Sequence, residues 1–262
     1  MKTPDFAAFK DTLKKAKLRL LQMHHESGIG HIGGNLSSID AMLFLHTQAM
    51  EKGDLFILSK GHSAGALYVT LWAAGQLAEG DLAQFHKDNT NLPGHPVGGW
   101  HPGIRFSTGS LGHGLGLAAG AGMARRLQKN NAPVYCLMSD GEWNEGSNWE
   151  AALFIAHHNL HRVTILIDRN DLQGFGRTGE VANMEPFGDK FRAFGFDVLD
   201  IDGHDPLELH RALARQDGLP KAIIMRTVKG HGVSFMENKM EWHYLPMTKE
   251  QYTQAVDEVE RA

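Results

Sequence analysis

Two polar side chains, Asp140 and Asn170, each follow an apolar run with the composition of a buried β-strand. Asp140 and Gly141 come directly after the run 134–138, and Asn170 stands just beyond the run 163–167. The carboxyl ends of parallel strands meet at one edge of an open α/β sheet, and ligands bind in the crevice there. If the two strands are neighbours, a carboxylate and an amide oxygen project into one crevice.

The oxygen atoms of these two side chains predict a site for a divalent cation. Hard oxygen ligands suit Mg²⁺ or Ca²⁺ rather than zinc. Because Mg²⁺ prefers six oxygens and is commonly held by one or two carboxylates plus ligand phosphates, so sparse a set points to a phosphorylated cofactor. Gly141 would let its backbone N–H approach a diphosphate, and the Leu172 carbonyl is a further candidate ligand. Taken alone, Asp140-Gly141 also fits a simple turn.

The elements that would position these residues alternate from Leu111 onward. Short apolar, β-branched segments separated by helical periodicity indicate an α/β fold, with a mostly parallel sheet covered by helices on both faces. The predicted strands are 133–138, 162–167, 196–201 and 221–227, and the predicted helices are 111–129, 147–159, 186–195 and 206–216.

The first half of the chain predicts fewer strands and a long irregular stretch. Its elements are a helix capped by Thr3 and ending near Met23, helices at 37–50 and 62–76, and a strand at 55–58. Residues 86–110 are rich in Gly, Pro and His, and a loop of this length inside a compact domain is commonly functional. A last amphipathic helix, capped by Thr248 with Gln251, is expected to close the chain.

The composition of the 262 residues is that of an ordinary globular protein, and we predict a single domain over 1–262. A formal charge of −4 argues against a surface for nucleic acid or anionic membranes. Cys136 is the only cysteine, so an internal disulfide is excluded. The sequence shows neither a signal-peptide core nor an apolar run of transmembrane length, so the cytoplasm is the expected compartment.

Two glycine runs match a dinucleotide-binding fingerprint in letters but not in context. The fingerprint needs a strand before its glycines and a helix after them, whereas the run 28–33 follows a helix and the run from Gly114 follows the irregular stretch. His157 and His161 stand four residues apart without an acidic third ligand, so we also reject a zinc site.

Several motifs together resemble a known family. The segment SDGEWNEG followed by DRNDLQ is similar to the thiamine diphosphate motif, and six further segments resemble transketolase in order and spacing. These segments are SGIGHIGGNLSS, LSKGHSAGALY, LPGHP, STGSLGHGLG, DIDGHD and KGHGVSFMEN. The resemblance covers nearly the whole chain but only the first of the family's three domains. The chain therefore looks like the N-terminal, thiamine-diphosphate-binding subunit of a split transketolase.

The resemblance implies roles for individual residues. Asp140, Asn170 and the Leu172 carbonyl would bind Mg²⁺, with Ca²⁺ or Mn²⁺ as substitutes, and Gly141 and His62 would bind the diphosphate. Gly109 and Leu111 would line the pyrimidine ring, and Glu145 would lie at the subunit interface. The sugar would be bound by His31, His95 and His243. The histidines would donate hydrogen bonds to sugar hydroxyls and to the developing oxyanion.

The resemblance also implies a missing half. In the family, the glutamate that activates the aminopyrimidine of thiamine diphosphate belongs to the second domain, with the pyrimidine pocket and most contacts to the sugar phosphate. We therefore expect a separate C-terminal subunit that carries this pyrimidine-binding domain, in a heterodimer that doubles into a heterotetramer. The pair would transfer a two-carbon ketol unit from a ketose phosphate to an aldose phosphate.

Three alternatives stay open. The chain could be the alpha-type subunit of a 2-oxo acid dehydrogenase decarboxylating component, which shares the Asp-Gly and Asn pattern. It could be a fragment similar to deoxyxylulose phosphate synthase, or a non-catalytic remnant half. The histidine motifs around His31, His62 and His95 favour the transketolase.

Overall fold

The computed structural model describes residues 3–262 and is built on one five-stranded parallel sheet. Its strands are β1 (Leu55–Leu58), β2 (Val134–Ser139), β3 (Val163–Arg169), β4 (Asp197–Asp202) and β5 (Lys221–Arg226), in the order β1-β2-β3-β5-β4. β2 and β3 are neighbours, and their register pairs Ser139 with Asp168. The prediction that the strands before Asp140 and Asn170 lie side by side is therefore confirmed.

Helices connect the strands and cover both faces of the sheet. They are α1 (Phe6–Ser27), α2 (Ile32–Phe44), α3 (Ala64–Ala73), α4 (Glu79–Leu82), α5 (Gly114–Leu127), α6 (Gly146–His157), α7 (Thr178–Val181), α8 (Phe187–Phe194), α9 (Pro206–Ala214) and α10 (Lys249–Arg261). Over residues 3–262, no helix combines the length and the apolar character needed to span a bilayer. The α/β architecture agrees with the prediction; the four-residue helices α4 and α7 were missed because each is too short to show a periodic pattern.

Side chains on the two faces of the sheet pack into two separate hydrophobic cores. The register partners Leu137, Leu166 and Ile223 pack into a core formed with α1, α2, α3, α9 and α10. The next set of partners, Cys136 and Ile165 with Ala222, points to the other face and packs with α5, α6 and α8. Because both faces are covered, the strands are continuous apolar runs instead of alternating apolar and polar residues.

Helix α2 lies inside the protein, and every one of its residues from 32 to 44 is buried. Its predicted start at Ser37 was wrong, because Gly33 and Gly34 lie inside the helix, where Gly33 packs closely against neighbouring segments. A Cβ on Gly33 would lie 3.1 Å from the Lys229 side chain. Only Gly28, with φ of 62°, ends the preceding helix in the left-handed conformation.

The cap of α1 also differs from the prediction. Asp5, and not Thr3, is the N-cap, and its carboxylate accepts a hydrogen bond from the Ala8 N–H at 3.0 Å. At the other end of the chain the predicted cap is confirmed, since Thr248 and Gln251 form a reciprocal capping box on α10.

The predicted irregular stretch is confirmed between α4 and α5. Within residues 86–110, all of which the structure describes, the only β-bridge joins His101 to Ile104. The Thr108 hydroxyl donates to the Leu58 carbonyl at 2.5 Å and fastens the stretch to the carboxyl end of β1. This contact places residues 108–112 at the same edge of the sheet as Asp140.

His24 is a buried core histidine at the end of α1, only 1% exposed. Its Nδ1 lies 3.4 Å from the Ile29 carbonyl oxygen, and its Nε2 has no hydrogen-bond partner among the described residues. Nε2 faces Gly65, where an added Cβ would approach it to 2.5 Å. Burial lowers the pKa of His24 to about 4, so the ring is neutral in the folded protein at neutral pH.

We expect His24 to make the protein acid-sensitive. A histidine with a lowered folded-state pKa contributes its full stability above pH 6.5 and loses it as the pH falls towards 4, since the unfolded chain binds the proton first. Between pH 7 and pH 5 this single group should cost about 2 kcal/mol of unfolding free energy. His24→Asn keeps a donor at the Nδ1 position. Urea unfolding of this variant should show a loss of unfolding free energy between pH 7 and pH 5 that is smaller than the wild-type loss by that amount. An unchanged loss in the variant would contradict this account.

Candidate active site

The acid at the end of β2 is buried and held by three hydrogen bonds. Asp140 is 4% exposed, and one carboxylate oxygen accepts from the Gly141 N–H at 2.8 Å. The other oxygen accepts from the Asp171 N–H at 2.8 Å and from the Thr178 hydroxyl at 3.0 Å. These contacts come from the segment that follows β3, so they tie the ends of β2 and β3 together.

Asp140 has no cationic partner among the described residues. Among residues 3–262, no Lys, Arg or His nitrogen lies within 4.0 Å of its carboxylate. Burial, and then the negative charge of Asp168, raise the pKa of Asp140 to about 6. A buried carboxylate beside a second carboxylate is costly without a compensating charge. This position therefore fits a bound cation.

Asn170 and Leu172 supply neutral oxygens beside this carboxylate. The Asn170 Nδ2 lies 3.3 Å from Asp168 Oδ2, so the amide nitrogen is used in that contact, and Oδ1 accepts from the Leu172 N–H at 3.2 Å. The Leu172 carbonyl oxygen lies 3.4 Å from the Lys229 Nζ. One carboxylate, one amide oxygen and one carbonyl are ligands suited to Mg²⁺ and not to zinc.

Gly141 lies in close contact with the segment that follows β3. A Cβ at this position would meet the Gln173 side chain at 2.6 Å. A side chain at residue 141 would therefore displace the Gln173 side chain. The role of Gly141 in approaching a diphosphate stays a prediction.

Four histidines from distant parts of the chain form a cluster. The His31 ring centroid lies 5.0 Å from that of His243, 5.7 Å from that of His62 and 6.0 Å from that of His95. The rings of His62 and His243 are 5.4 Å apart. The structure thus brings together the three histidines predicted to bind the sugar and the one predicted to bind the diphosphate.

The cluster is electrically neutral at neutral pH. Burial, and then the positive charge of Lys60, hold the pKa of His62 well below its usual range. Burial, and then the charge of Lys229, lower the pKa of His243 to about 3. Burial also lowers the pKa of His31 and His95, helped by a neighbouring histidine in each case. A neutral imidazole offers one N–H donor and one acceptor, which is the chemistry that hydroxyl groups require.

The backbone of His31 is held in an unusual conformation at the start of α2. Its φ is 64°, in the left-handed region that few non-glycine residues adopt. Its N–H donates to the His243 carbonyl at 3.2 Å. Asn35, fully buried, donates to the carbonyls of His31 at 2.8 Å and His62 at 3.2 Å. Asn35 was missed in the sequence, although a polar residue on an apolar helix was a signal.

Gly109 lies against the histidine cluster. Its φ is 143°, and a Cβ would lie 2.8 Å from the His95 ring. A Cβ on Gly61, next to His62, would meet the backbone of residues 108 and 109 at 2.7 Å. The backbone at residue 61 and the backbone at residues 108–109 are therefore in contact. The position of Gly109 beside the histidine cluster is compatible with its predicted role near the cofactor.

Glu142 fixes the loop that carries Leu111. Its buried carboxylate accepts from the Ser59 hydroxyl and from the Gly112 N–H at 3.0 Å. Burial raises the pKa of Glu142 despite these hydrogen bonds. Leu111 is half-buried, and Glu145 is exposed at the N-cap of α6. The structure thus leaves Glu145 accessible, and its predicted interface role stays a prediction.

Two buried lysines and one aspartate belong to the site and were missed in the sequence. Lys60 forms an ion pair with Asp168, and their side chains are 1% and 0% exposed. Asp168 also accepts from the hydroxyls of Ser37, at 2.6 Å, and Thr227. Burial alone would raise the pKa of Asp168, but Lys60 and the hydroxyls lower it below its usual value. Lysine in a loop is ordinarily solvent-exposed, so only burial reveals this pair.

Lys229 links the segment after β3 to the histidines. Its Nζ lies 3.4 Å from the Leu172 carbonyl and 3.1 Å from the Nδ1 of His243. Burial, and then the charge of Lys60, lower the pKa of Lys229 to about 8. Since an ammonium group only donates, His243 accepts at Nδ1 and carries its own proton on Nε2.

Comparison with known proteins agrees with the family resemblance seen in the sequence. Residues 15–259 match the family described as "Transketolase, thiamine diphosphate binding domain". The chain is 38% identical over 258 residues to an apulose-4-phosphate transketolase subunit of Phocaeicola vulgatus, covering 94% of this chain and 92% of that protein. It is 37% identical over 248 residues to a 6-deoxy-6-sulfo-D-fructose transketolase subunit of Clostridium sp. strain MSTE9, covering 89% and 90%.

A solved structure agrees with this match. The transketolase of Campylobacter jejuni superposes with a TM-score of 0.87 at 26% identity, over 98% of this chain and 43% of that one. The chain thus spans about two fifths of the length of that transketolase. These comparisons favour the transketolase over the 2-oxo acid dehydrogenase alternative.

We expect the Lys60–Asp168 pair to be strongly coupled. Removing one partner of a buried pair leaves an uncompensated charge and costs about 3–5 kcal/mol. Lys60→Met should therefore destabilise the protein by about that much, and Lys60→Met/Asp168→Asn should cost clearly less than the sum of the single changes. Arg192→Ala breaks the exposed Arg192–Asp189 pair and should change stability by less than about 1 kcal/mol. Urea unfolding of Lys60→Met, Asp168→Asn, the double variant and Arg192→Ala measures the four effects, and additive single costs would contradict the coupling.

Proposed function

Since the chain belongs to the transketolase family and matches its thiamine diphosphate-binding domain, we propose that it is the cofactor-binding subunit of a two-chain transketolase. The pair would transfer a two-carbon ketol unit from a ketose phosphate to an aldose phosphate. The single observation that carries the proposal is the buried Asp140, without a cationic partner among residues 3–262, together with the neutral histidine cluster that Lys229 joins to the Leu172 carbonyl. An oxygen-lined cation site beside a hydroxyl-binding surface is what a metal-bound diphosphate cofactor and a sugar require together.

The residues at the sheet edge would hold the cofactor. Asp140, Asn170 and the Leu172 carbonyl would bind Mg²⁺, with Gly141 leaving room for the diphosphate. The ammonium group of Lys229 and the ring of His62, which both adjoin His243, would contact the phosphate oxygens. Gly109 and Leu111 would line the pyrimidine. When bound, thiamine diphosphate would supply a nucleophilic thiazolium carbon for a ketose carbonyl and a positively charged ring that stabilises the carbanion left by C–C cleavage.

The histidines would bind and orient the sugar. His243 carries its proton on Nε2, so it can donate to a substrate oxygen while Lys229 holds Nδ1. His31 and His95 are neutral and can each donate once and accept once. Hydrogen-bond donors fixed in advance around a reacting carbonyl stabilise the negative charge that develops there.

A separate partner chain would complete the site. Two relatives of matching length are each named as a transketolase subunit, which supports an assembly from two kinds of chain. We propose that the partner carries the pyrimidine-binding domain and the activating glutamate, and that two such pairs form a heterotetramer. The sugar would be a ketose phosphate; the relatives' names refer to an apulose phosphate and to a sulfonated deoxyfructose, so specificity differs among two-chain enzymes.

We expect Asp140→Asn to weaken binding of thiamine diphosphate in the presence of Mg²⁺ on the order of a hundredfold, the upper end of what loss of a metal-site contact costs. The amide keeps the size of the side chain but removes the charge that the cation needs. Asp189→Asn, at an exposed position on α8, is the matched control and should bind normally. Calorimetric titration of the assembled pair measures both. Equal affinities in the two variants would contradict the assignment of Asp140.

We expect the isolated chain to lack ketol-transfer activity. Without the partner it offers groups that bind the cofactor but none placed to activate it. Adding the partner chain should restore product formation from a ketose phosphate and an aldose phosphate, followed by chromatography of the sugars. Pyruvate or a branched 2-oxo acid should give no product with the same pair. Full turnover by the chain alone would disprove the division of roles.

A further inference from the structure

A second group of polar residues, two buried and two half-buried, is not used by the proposed reaction. It consists of Lys17 on α1, Asp40 on α2, His204 after β4 and His231 after β5. Lys17 Nζ lies 3.0 Å from Asp40 Oδ2 and 3.2 Å from His231 Nδ1. The rings of His204 and His231 stack with centroids 3.5 Å apart. We call this group the rear cluster.

The rear cluster is not arranged as a metal site, although one ligand atom each from Asp40, His204 and His231 lie within 4.8 Å of one another. His204 Nε2 accepts a hydrogen bond from the Val228 N–H at 3.0 Å. A neutral imidazole has one acceptor nitrogen, so its proton must lie on Nδ1. A metal at Nδ1 would need a doubly deprotonated ring, and the Lys17 ammonium already lies beside Asp40.

The cluster is instead electrically balanced. Burial would raise the pKa of Asp40, but the Lys17 ammonium and then the His204 contact lower it to about 2. The Asp40 carboxylate faces the Nδ1 of His204, the nitrogen that carries the proton, at 3.6 Å, an electrostatic contact longer than a hydrogen bond. The negative charge therefore favours the tautomer that leaves Nε2 free to accept from Val228.

Val228 precedes Lys229, the lysine that contacts both His243 and the Leu172 carbonyl. The segment 227–232 is also held by the Gly230 N–H, which donates to the Gly33 carbonyl at 2.9 Å, and by the Thr227 N–H, which donates to the Arg169 carbonyl at 3.0 Å. The anchors at Val228 and Gly230 adjoin Lys229 on either side, and the Lys229 carbonyl itself accepts from the Asn238 N–H at 3.0 Å. The His204 anchor comes from a side chain, so it can be removed by a single substitution.

We infer that His204 is a positioning residue: oriented by Asp40, it holds the backbone at Val228 and so sets where the Lys229 ammonium lies relative to His243 and Leu172. Lys229 in turn fixes the proton of His243 on Nε2. His204 acts here without touching either the substrate or the cofactor. The anchoring is a property of the chain alone; only its effect on diphosphate affinity rests on the proposed function.

Two substitutions at His204 separate the two ring nitrogens. The side-chain amide of Gln reaches the position of Nε2, so His204→Gln keeps an acceptor for the Val228 N–H. The shorter Asn reaches only the position of Nδ1, so His204→Asn keeps the contact to Asp40 and loses the one to Val228. Both are neutral and polar, so they are matched controls for each other.

The first measurement uses the full chain without cofactor. In His204→Asn, amide hydrogen exchange across 227–232 should be on the order of tenfold faster, the loss expected for one hydrogen bond. Acylation of Lys229, followed by mass spectrometry, should accelerate in parallel. His204→Gln should remain close to the wild type in both. Equal protection in wild type and His204→Asn, or equal loss in both variants, would overturn the inference.

The second measurement is the affinity of the assembled pair for thiamine diphosphate with Mg²⁺. His204→Asn should weaken it roughly tenfold, as expected when a group behind a binding residue is lost, and His204→Gln should largely restore it. If the wild type does not bind the cofactor at all, the proposed function fails while the exchange result still decides the role of His204.

A third variant covers the case in which His204→Asn does not fold, as judged by its circular dichroism and thermal midpoint. His231→Ala removes the stacked ring but leaves the Val228 hydrogen bond, and His231 is only half-buried. Faster exchange confined to residues 230–233, with Val228 still protected, supports the inference. Loss of protection at Val228 in this variant would overturn it.

Discussion

Asp168 is the residue on which the rest of the site depends. It stands at the carboxyl end of the central strand β3, fully buried, and its carboxylate contacts Lys60 after β1, Ser37 on α2 and Thr227 after β5. One negative charge thus draws together three separate segments and orients the Asn170 amide as well. Such a charge is tolerable inside a protein only because each of its oxygens is paired. The carboxyl edge of the sheet is therefore organised by charge as much as by hydrophobic packing.

The same charge shapes the chemistry of its neighbours. Burial, and then this charge, raise the pKa of Asp140, which has no lysine partner among residues 3–262. Burial, and then the charges of Lys60 and Lys229, lower the pKa values of His62 and His243. The site thus divides into an acidic end suited to a divalent cation and a neutral end suited to hydroxyl groups. Because the histidines are uncharged, they can recognise a sugar without repelling the cation beside them.

The sequence predicted the sheet and the convergence of Asp140 and Asn170 at one edge of it because both depend on local patterns. Apolar runs ended at Asp140 and near Asn170, and parallel strands place such ends together. The histidine cluster was predicted only through the family resemblance, since no spacing rule connects such distant positions. Lys229 and Asn35 were missed because their roles arise from burial and from contacts across the fold, which composition does not reveal. The start of α2 was misplaced because glycines that usually interrupt helices here permit close packing.

The burial of α2 on all sides has a consequence for biosynthesis. Trp242 and α9, which are translated long after α2, supply part of its cover, and the His243 carbonyl is the partner of the His31 N–H. While the ribosome is still translating, this apolar helix has emerged but the segments that enclose it have not. Contacts so remote in sequence form slowly, and the exposed helix makes the nascent chain a natural client for chaperones until those segments have emerged as well.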